Sequence, residues 1–511
     1  MPHEQKARDV LWVRERIREL DEQGQGRFRL EPGTPGWAGL EGLPPFGDSR
    51  AAEGDDLRGR PSDQSVSGAN RAYRGKPRDV VVPYVLPGEE VFVRVDLRPQ
   101  KKGVLRGWPE VVLVSHGDRV APRCKHFGVC GGCMLQHAAY ELQLAYKEDK
   151  VRRLLIAQGI SDAVVHPIRG MAHPWGYRNK MEFTFRPDGI PGLHARGMYR
   201  EVLPLSECHI AHPDIDRVRE VVGLWARERG LPGYDKDRHA GLLRHLVVRK
   251  AFATGELLVA LVATEAPDGY ASSLTELGAE LRRTFPGLRG LLWAENRSLS
   301  DAVQVERLHV LEGRPYIEEL LGGFRYRLEL ETFFQTNPLQ AEALVSTALA
   351  YVREALDPAA KALVVDLYSG VGTFTLPLAR VAERAVGIEV VSASVEAARR
   401  NAAQNAVTNV EFRRADAGEG LSQLLREWGR TPSLLLLDPP RAGAGTRTVR
   451  AVLAAAPDAI VYVSCNPATF AEDAARFTVG GYALVSVTPV DMFPHTPHVE
   501  LVALFRRARV V

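Results

Sequence analysis

The chain is 511 residues long, 45% hydrophobic and 25% charged, the balance of a soluble globular protein with room for about two to four domains. No run of roughly 18 apolar residues offers a transmembrane helix, and MPHEQKARDVLW has no apolar signal core, so the expected compartment is the cytoplasm. A net charge of +3, from 66 basic and 63 acidic residues, is too mild to mark a nucleic-acid binder by itself.

Residues 1–75 divide in two. Val10, Leu11, Val13, Ile17 and Leu20 space as one face of a short Arg-rich helix. A segment rich in Gly, Pro, Ser and Asp follows to about Asn70 and reads as irregular. Ahead of it GQGRFRLE (24–31) is a candidate strand, with the irregular segment as an insertion after it. Over 76–118, VVVPYVLPGEEVFVRVDL predicts two strands around a Pro-Gly turn, and EVVLVS a third. Together they suggest a small β-barrel.

Residues 119–330 read as a central α+β domain. ELQLAYKEDKVRRLL predicts a helix, HLVVRKAFATGELLVALVAT a hairpin and LRGLLWAEN a strand. Tyr177, Arg178 and Phe183 are candidates to touch a partner or ordinary strand residues, in equal measure. From 331 to 511 the pattern turns βαβα. ALVVDL, AVGIE, VEFRRAD, LLLLDPPR and IVYVSCNP each run a strand into a loop, with helices predicted from SGVGT through Ala382 and over 392–405. This predicts a doubly wound parallel sheet.

The strand tips carry the chemistry. In VVDLYSGVGTFTLPLA (364–379), Gly370 and Gly372 let a ligand approach the backbone above a helix N-terminus. Glu389 ends the next strand 23 residues after Asp366, where an acid can accept both hydroxyls of a ribose. A glycine turn alone suits any α/β fold; paired with Glu389 and lacking GxGxxG, it suits a single nucleoside. Asp438 in LLLLDPPRAGA stands either in a rigid solvated turn or at a ligand. Cys465 in IVYVSCNPATF follows four apolar residues. A lone cysteine is often just a small buried residue, but this one sits at a sheet edge. A helix starting near Pro467 is expected to lower its pKa, and a nucleophile is the preferred reading. Glu500, taken alone, would be an edge-strand charge.

Four further thiols, Cys124, Cys130, Cys133 and Cys208, are spaced C-x5-C-x2-C, then 74 residues, then Cys. Such a set favours metal over disulfides and suits an iron–sulfur cluster or zinc.

CKHFGVCGGCMLQH, FFQTNPLQAE, DLYSGVGTFTLPLA, LLDPPRAG, YVSCNPATF and DMFPHTPHVE occur in that order over roughly 76–511. In this the chain resembles the S-adenosylmethionine-dependent RNA uracil-5 methyltransferases, and within them the iron–sulfur enzymes that methylate 23S rRNA. The resemblance implies a multidomain α/β protein. Its parts would be an OB-like TRAM barrel, a central α+β domain holding a [4Fe-4S] cluster on Cys124, Cys130, Cys133 and Cys208, and a Rossmann-like methyltransferase domain. It implies Cys465 as nucleophile and Glu500 as general base. It assigns Gln335, Tyr368, Thr373, Glu389, Asp416 and Asp438 to S-adenosyl-L-methionine; relatives carry Asn where Thr373 stands. The implied partner is RNA, 23S rRNA first and tRNA second, for a monomer with no membrane contact. The rivals are a tRNA T-loop enzyme, an RNA cytosine-5 methyltransferase, a methyltransferase for exocyclic amines or proteins, and a non-catalytic RNA-binding factor.

Overall fold

A computed structural model gives the fold, and the structure describes residues 10–36, 71–98, 103–300, 303–357 and 361–508. These fall into two compact units. The irregular segment expected up to Asn70 lies, from residue 37 on, outside the described residues.

The first unit holds described residues up to Gln143 with Ala195–Gly197 and His495–Pro497. Its main feature is a six-stranded sheet in the order Val10–Arg16, Glu90–Asp96, Leu105–Val114, Arg78–Val82, Gly26–Leu30, Glu19–Leu20. Residues 10–16 are thus a strand, correcting the expected helix. Leu11 and Val13 are buried while Trp12 and Arg14 face outward, and Val13 pairs with Val93 in antiparallel register. The apolar spacing over this short stretch suits either period, and the long-range pairing decides for two. GRFRL is also a strand, antiparallel to Arg78–Val82. Val13, Phe28, Leu30, Val80, Val82, Val93 and Val95 form the core beneath the sheet.

The second unit contains two larger sheets. One has seven strands, in the order Met198–Pro204, Pro191–Ala195, Lys180–Phe185, Leu243–Lys250, Leu257–Ala263, Leu288–Glu295, Arg307–Gly313. The predicted hairpin is its centre. Leu288–Glu295 joins in parallel after a crossover helix, Ala271–Thr284. Phe183 and Tyr177 are 0% and 1% exposed. They are core residues, so neither is free to touch a partner from the surface.

The other sheet carries the candidate site. We label its strands β1 (Leu363–Leu367), β2 (Arg384–Glu389), β3 (Val410–Arg414), β4 (Leu434–Leu437), β5 (Ala459–Ser464), β6 (Tyr482–Val490) and β7 (Glu500–Arg507). They lie in the order β3-β2-β1-β4-β5-β7-β6, with Val164–Val165 beyond β6. Strands β1 to β5 are parallel, and β7 runs antiparallel to both neighbours. The four leucines of β4 are all buried, as befits a parallel strand covered on both faces. The helix after β1 is shorter than expected. It covers Thr375–Leu378, then tightens into i→i+3 turns as Arg380 and Val381 donate to Pro377 and Leu378.

Phe505 on β7 is fully buried, 6.2 Å from Phe470 and 5.4 Å from Phe477 between ring centroids. Truncating it leaves a cavity under the antiparallel strand. Phe505→Ala should cost about 3–5 kcal/mol, read as a lower urea midpoint.

Candidate active site

In a doubly wound sheet, ligands bind beyond the carboxyl ends of the strands where the winding reverses, here between β1 and β4. Tyr368 follows β1 with φ +67°, a left-handed conformation unusual for a bulky residue, and Gly370 and Gly372 follow at +52° and +87°. The Tyr368 hydroxyl donates to Ala444 O at 3.1 Å and lies 2.9 Å from Thr448 Oγ1. This ties the loop after β1 to the segment after β4. Glu389, ending β2, accepts from the Gly370 N–H at 3.1 Å and the Val391 N–H at 2.8 Å. Asp416, after β3, caps the helix Ala417–Trp428 by accepting from Gly418 and Glu419 N–H. Thr373 is half-buried, and its carbonyl accepts from the Tyr326 hydroxyl at 3.3 Å. Gln335 is buried, its carbonyl held by Asn179 Nδ2 at 3.2 Å.

Two buried polar atoms beside this loop, Asp366 Oδ1 and Ser369 Oγ, have no hydrogen-bond partner among the described residues. Unsatisfied polar atoms under an open glycine turn suit a polar ligand. The residues present therefore fit a nucleoside cofactor such as S-adenosylmethionine.

The second half of the site stands on β4, β5 and β7. Cys465 lies between the end of β5 and the helix Pro467–Val479, whose N-cap is Asn466. Because β7 is antiparallel, its first residue comes to the same edge. The last register pair is Ser464↔Leu501, so Cys465 and Glu500 stand one step beyond it. The loops after β4 and β5 are stitched together. Asn466 Nδ2 and Thr469 Oγ1 donate to Arg441 O at 2.8 and 3.2 Å. Buried Asp473 accepts from the Ala444 N–H and the Tyr462 hydroxyl at 2.7 and 2.8 Å.

Electrostatics brings these groups into one system. Burial pushes Asp366 up to about 8, with Asp438 and Glu389 adding repulsion. It pushes Asp438 up to about 7. Glu500 rises to about 8 through burial and the nearby Asp438. The Cys465 thiol rises to about 11 through burial, then Glu500 and Asp438, against the opposing pull of Arg441. The helix does begin at Pro467, but the expected lowering of the thiol's pKa is overturned: desolvation and two acidic neighbours outweigh a helix terminus. His498, 3.5 Å from Arg441, is pushed down to about 4 by burial and surrounding cations. Asp473 escapes a sequence reading because nothing local marks it; Asp366 and His498 lie in quoted motifs, but only the fold gives them their buried surroundings. Arg441 sits visibly in DPPR, but only the fold gives it a thiol to act on.

Cys124, Cys130 and Cys133 belong to the first unit and Cys208 to the second. Among the described residues no group of three or more His, Cys, Asp or Glu is arranged to hold a metal ion. The Cys124 N–H donates to Gln136 Oε1 at 3.1 Å and the Cys130 N–H to His126 O at 2.9 Å.

Sheet order, glycine turn and acidic strand tip define an α/β methyltransferase fold. A family model described as tRNA (Uracil-5-)-methyltransferase matches residues 297–508. The chain is 40% identical to an RNA methyltransferase of Caldanaerobacter subterraneus, over 82% of this chain and 92% of the relative. It is 36% identical to one of Porphyromonas gingivalis, over 83% and 95%. Among solved structures it is similar to the Pyrococcus abyssi tRNA (uracil-54, C5)-methyltransferase in complex with S-adenosyl-L-homocysteine. That match has a TM-score of 0.68 and 28% identity, covering 96% of this chain and 99% of the other. The chain belongs to the RNA methyltransferase family of these relatives, with residues 297–508 matching the tRNA (uracil-5-)-methyltransferase model, and is an S-adenosylmethionine-dependent RNA methyltransferase.

The raised carboxyls make a pH prediction. The folded, cofactor-free protein keeps protons on Asp366, Asp438 and Glu500 that the unfolded chain releases near pH ~4. Their contribution to stability is full below about pH 4 and is lost as pH rises toward about 8. The denaturant midpoint of Asp366→Asn should therefore fall less between pH 5 and 8 than that of the wild type; an equal slope would refute the assignment.

Proposed function

We propose that the protein transfers a methyl group from S-adenosylmethionine to C5 of a uridine in RNA, with Cys465 as nucleophile and Glu500 as base. The observation that most supports this is the register bringing both to one sheet edge beside Asp438. Uracil C5 is a poor nucleophile. Addition of the Cys465 thiolate to C6 forms a C–S bond and shifts the C5=C6 pair onto C5 and the C4 carbonyl. C5 then takes the methyl group as the methyl–sulfonium bond breaks and its electron pair stays on sulfur, leaving S-adenosylhomocysteine. Glu500 removes the C5 proton, the double bond re-forms and the thiolate departs, so no oxidant or reductant is consumed.

When bound, S-adenosylmethionine supplies the electrophilic methyl group and a positive charge. Gln335, Tyr368, Thr373, Glu389 and Asp416 are the residues proposed to hold it. Asp438 either joins them or steadies the thiol loop and the base edge. The target base must be unstacked to reach this edge, at roughly a few kcal/mol. The sheet of the first unit, read as a TRAM-like module, is proposed to help grip the RNA.

The substrate proposed first is 23S rRNA, on the resemblance to the iron–sulfur enzymes. A tRNA is the second reading, supported by similarity over 96% of the chain to an enzyme named for tRNA uracil-54. The [4Fe-4S] cluster rests on the resemblance alone, and no step above passes through it; iron and sulfide analysis of anaerobically purified protein tests it.

Transcripts of 23S rRNA fragments and tRNA carrying 5-fluorouridine test the mechanism. Fluorine cannot leave as a proton, so a covalent protein–RNA adduct should be trapped and map to Cys465, and the transcript that carries it identifies the substrate. Cys465→Ala should give no adduct and lose roughly 10⁴-fold or more in turnover. Donor-binding protein that forms no adduct with either RNA would point instead to amine methylation or a non-catalytic role.

A further inference from the structure

The loop joining β6 to β7 ends at the proposed base, yet most of its residues are buried. A buried loop must find partners for carbonyls that water would otherwise satisfy. Over Asp491–Pro494 every carbonyl is met by a side chain. Gln340 Nε2 donates to Asp491 O at 3.0 Å and Asn337 Nδ2 to Met492 O at 3.0 Å. Lys147 Nζ donates to Phe493 O at 3.0 Å and the Tyr177 hydroxyl to Pro494 O at 3.0 Å. Lys147 and Asp491, each with a fully buried side chain, also form an ion pair.

Two of these donors come from one short segment, FFQTNPLQ. Asn337 is the N-cap of the helix Pro338–Ala355, and its Oδ1 accepts from the Gln340 N–H at 3.2 Å. That bond orients the amide, so Nδ2 points to the loop. Two residues earlier stands Gln335, proposed for the methyl donor. The segment thus bears the donor-side residue at one end and the two amides gripping the base hairpin at the other. Asp491 directly follows Val490, the strand partner of Glu500, so the grip acts one residue from the base's own register pair.

We propose that Asn337 and Gln340 are positioning residues that set the Glu500 hairpin for removal of the C5 proton. The inference rests on the covalent reading above. A base must lie within hydrogen-bond reach of its proton, and a displacement of about 1 Å can cost on the order of 100-fold. Loosening the grip should slow proton removal while leaving donor binding and thiol addition intact. The methylated Cys465–RNA adduct, which needs that proton removed before it can break down, should then accumulate.

The test compares full-length wild type, Asn337→Ser, Gln340→Ala and Glu500→Gln. Serine keeps a capping oxygen but is too short to reach Met492 O. Four quantities are measured: S-adenosylhomocysteine affinity, adduct formation with 5-fluorouridine RNA, turnover on ordinary RNA, and the fraction of protein covalently joined to ordinary RNA at steady state. For Asn337→Ser and Gln340→Ala we expect affinity and fluorouridine adduct within about twofold of wild type, with turnover lowered about 10- to 100-fold. Both should accumulate the ordinary-RNA adduct, as should Glu500→Gln. Lost turnover without accumulation, or lost affinity or fluorouridine adduct in both variants, overturns the proposal in favour of a purely structural role. If wild type itself forms no fluorouridine adduct, the covalent reading fails, and this inference with it.

Discussion

The antiparallel pairing of β7 between β5 and β6 is the constraint on which the candidate site depends. A parallel strand in that place would deliver its first residue to the opposite edge of the sheet, far from every strand tip that carries chemistry. Reversed, it sets Glu500 one step beyond the Ser464↔Leu501 pair, beside Cys465. Ladders on both sides fix that register, with Leu501 paired to Ser464 on β5 and to Pro489 on β6.

The same packing raises the free energy of the charged forms it encloses. Asp366, Asp438 and Glu500 share one edge of low polarity, and each holds its proton well above the ordinary carboxylate range. A core built for stability alone would not keep three acids there. Their cost is offset by the apolar layers on both faces of the sheet, and their concentration at strand tips is what a site awaiting a cationic ligand requires.

The loops are held with comparable economy. Asp473 joins the segment after β4 to Tyr462 on β5. The Tyr368 hydroxyl joins the glycine turn to Ala444. Each rigid tie spans tens of residues in sequence, so nothing in the local pattern announces it. The sequence motifs mark the groups proposed for chemistry, while the residues that position them carry no signature of their own.

The features legible from residue order are local ones. Runs such as ALVVDL and LLLLDPP are buried strands ending in breakers, and that pattern was enough to place Glu389, Asp438 and Cys465 at strand tips and to call for a doubly wound sheet. Long-range packing makes residues 10–16 pair as a strand instead of coiling. It also sets the thiol at Cys465 raised and not lowered, makes Tyr177 and Phe183 core, and forms no metal-holding group of three or more His, Cys, Asp or Glu among the described residues. The reason is common to all four. Pairing, desolvation and convergence sum contributions from residues far apart in the chain, and no window of sequence contains that sum.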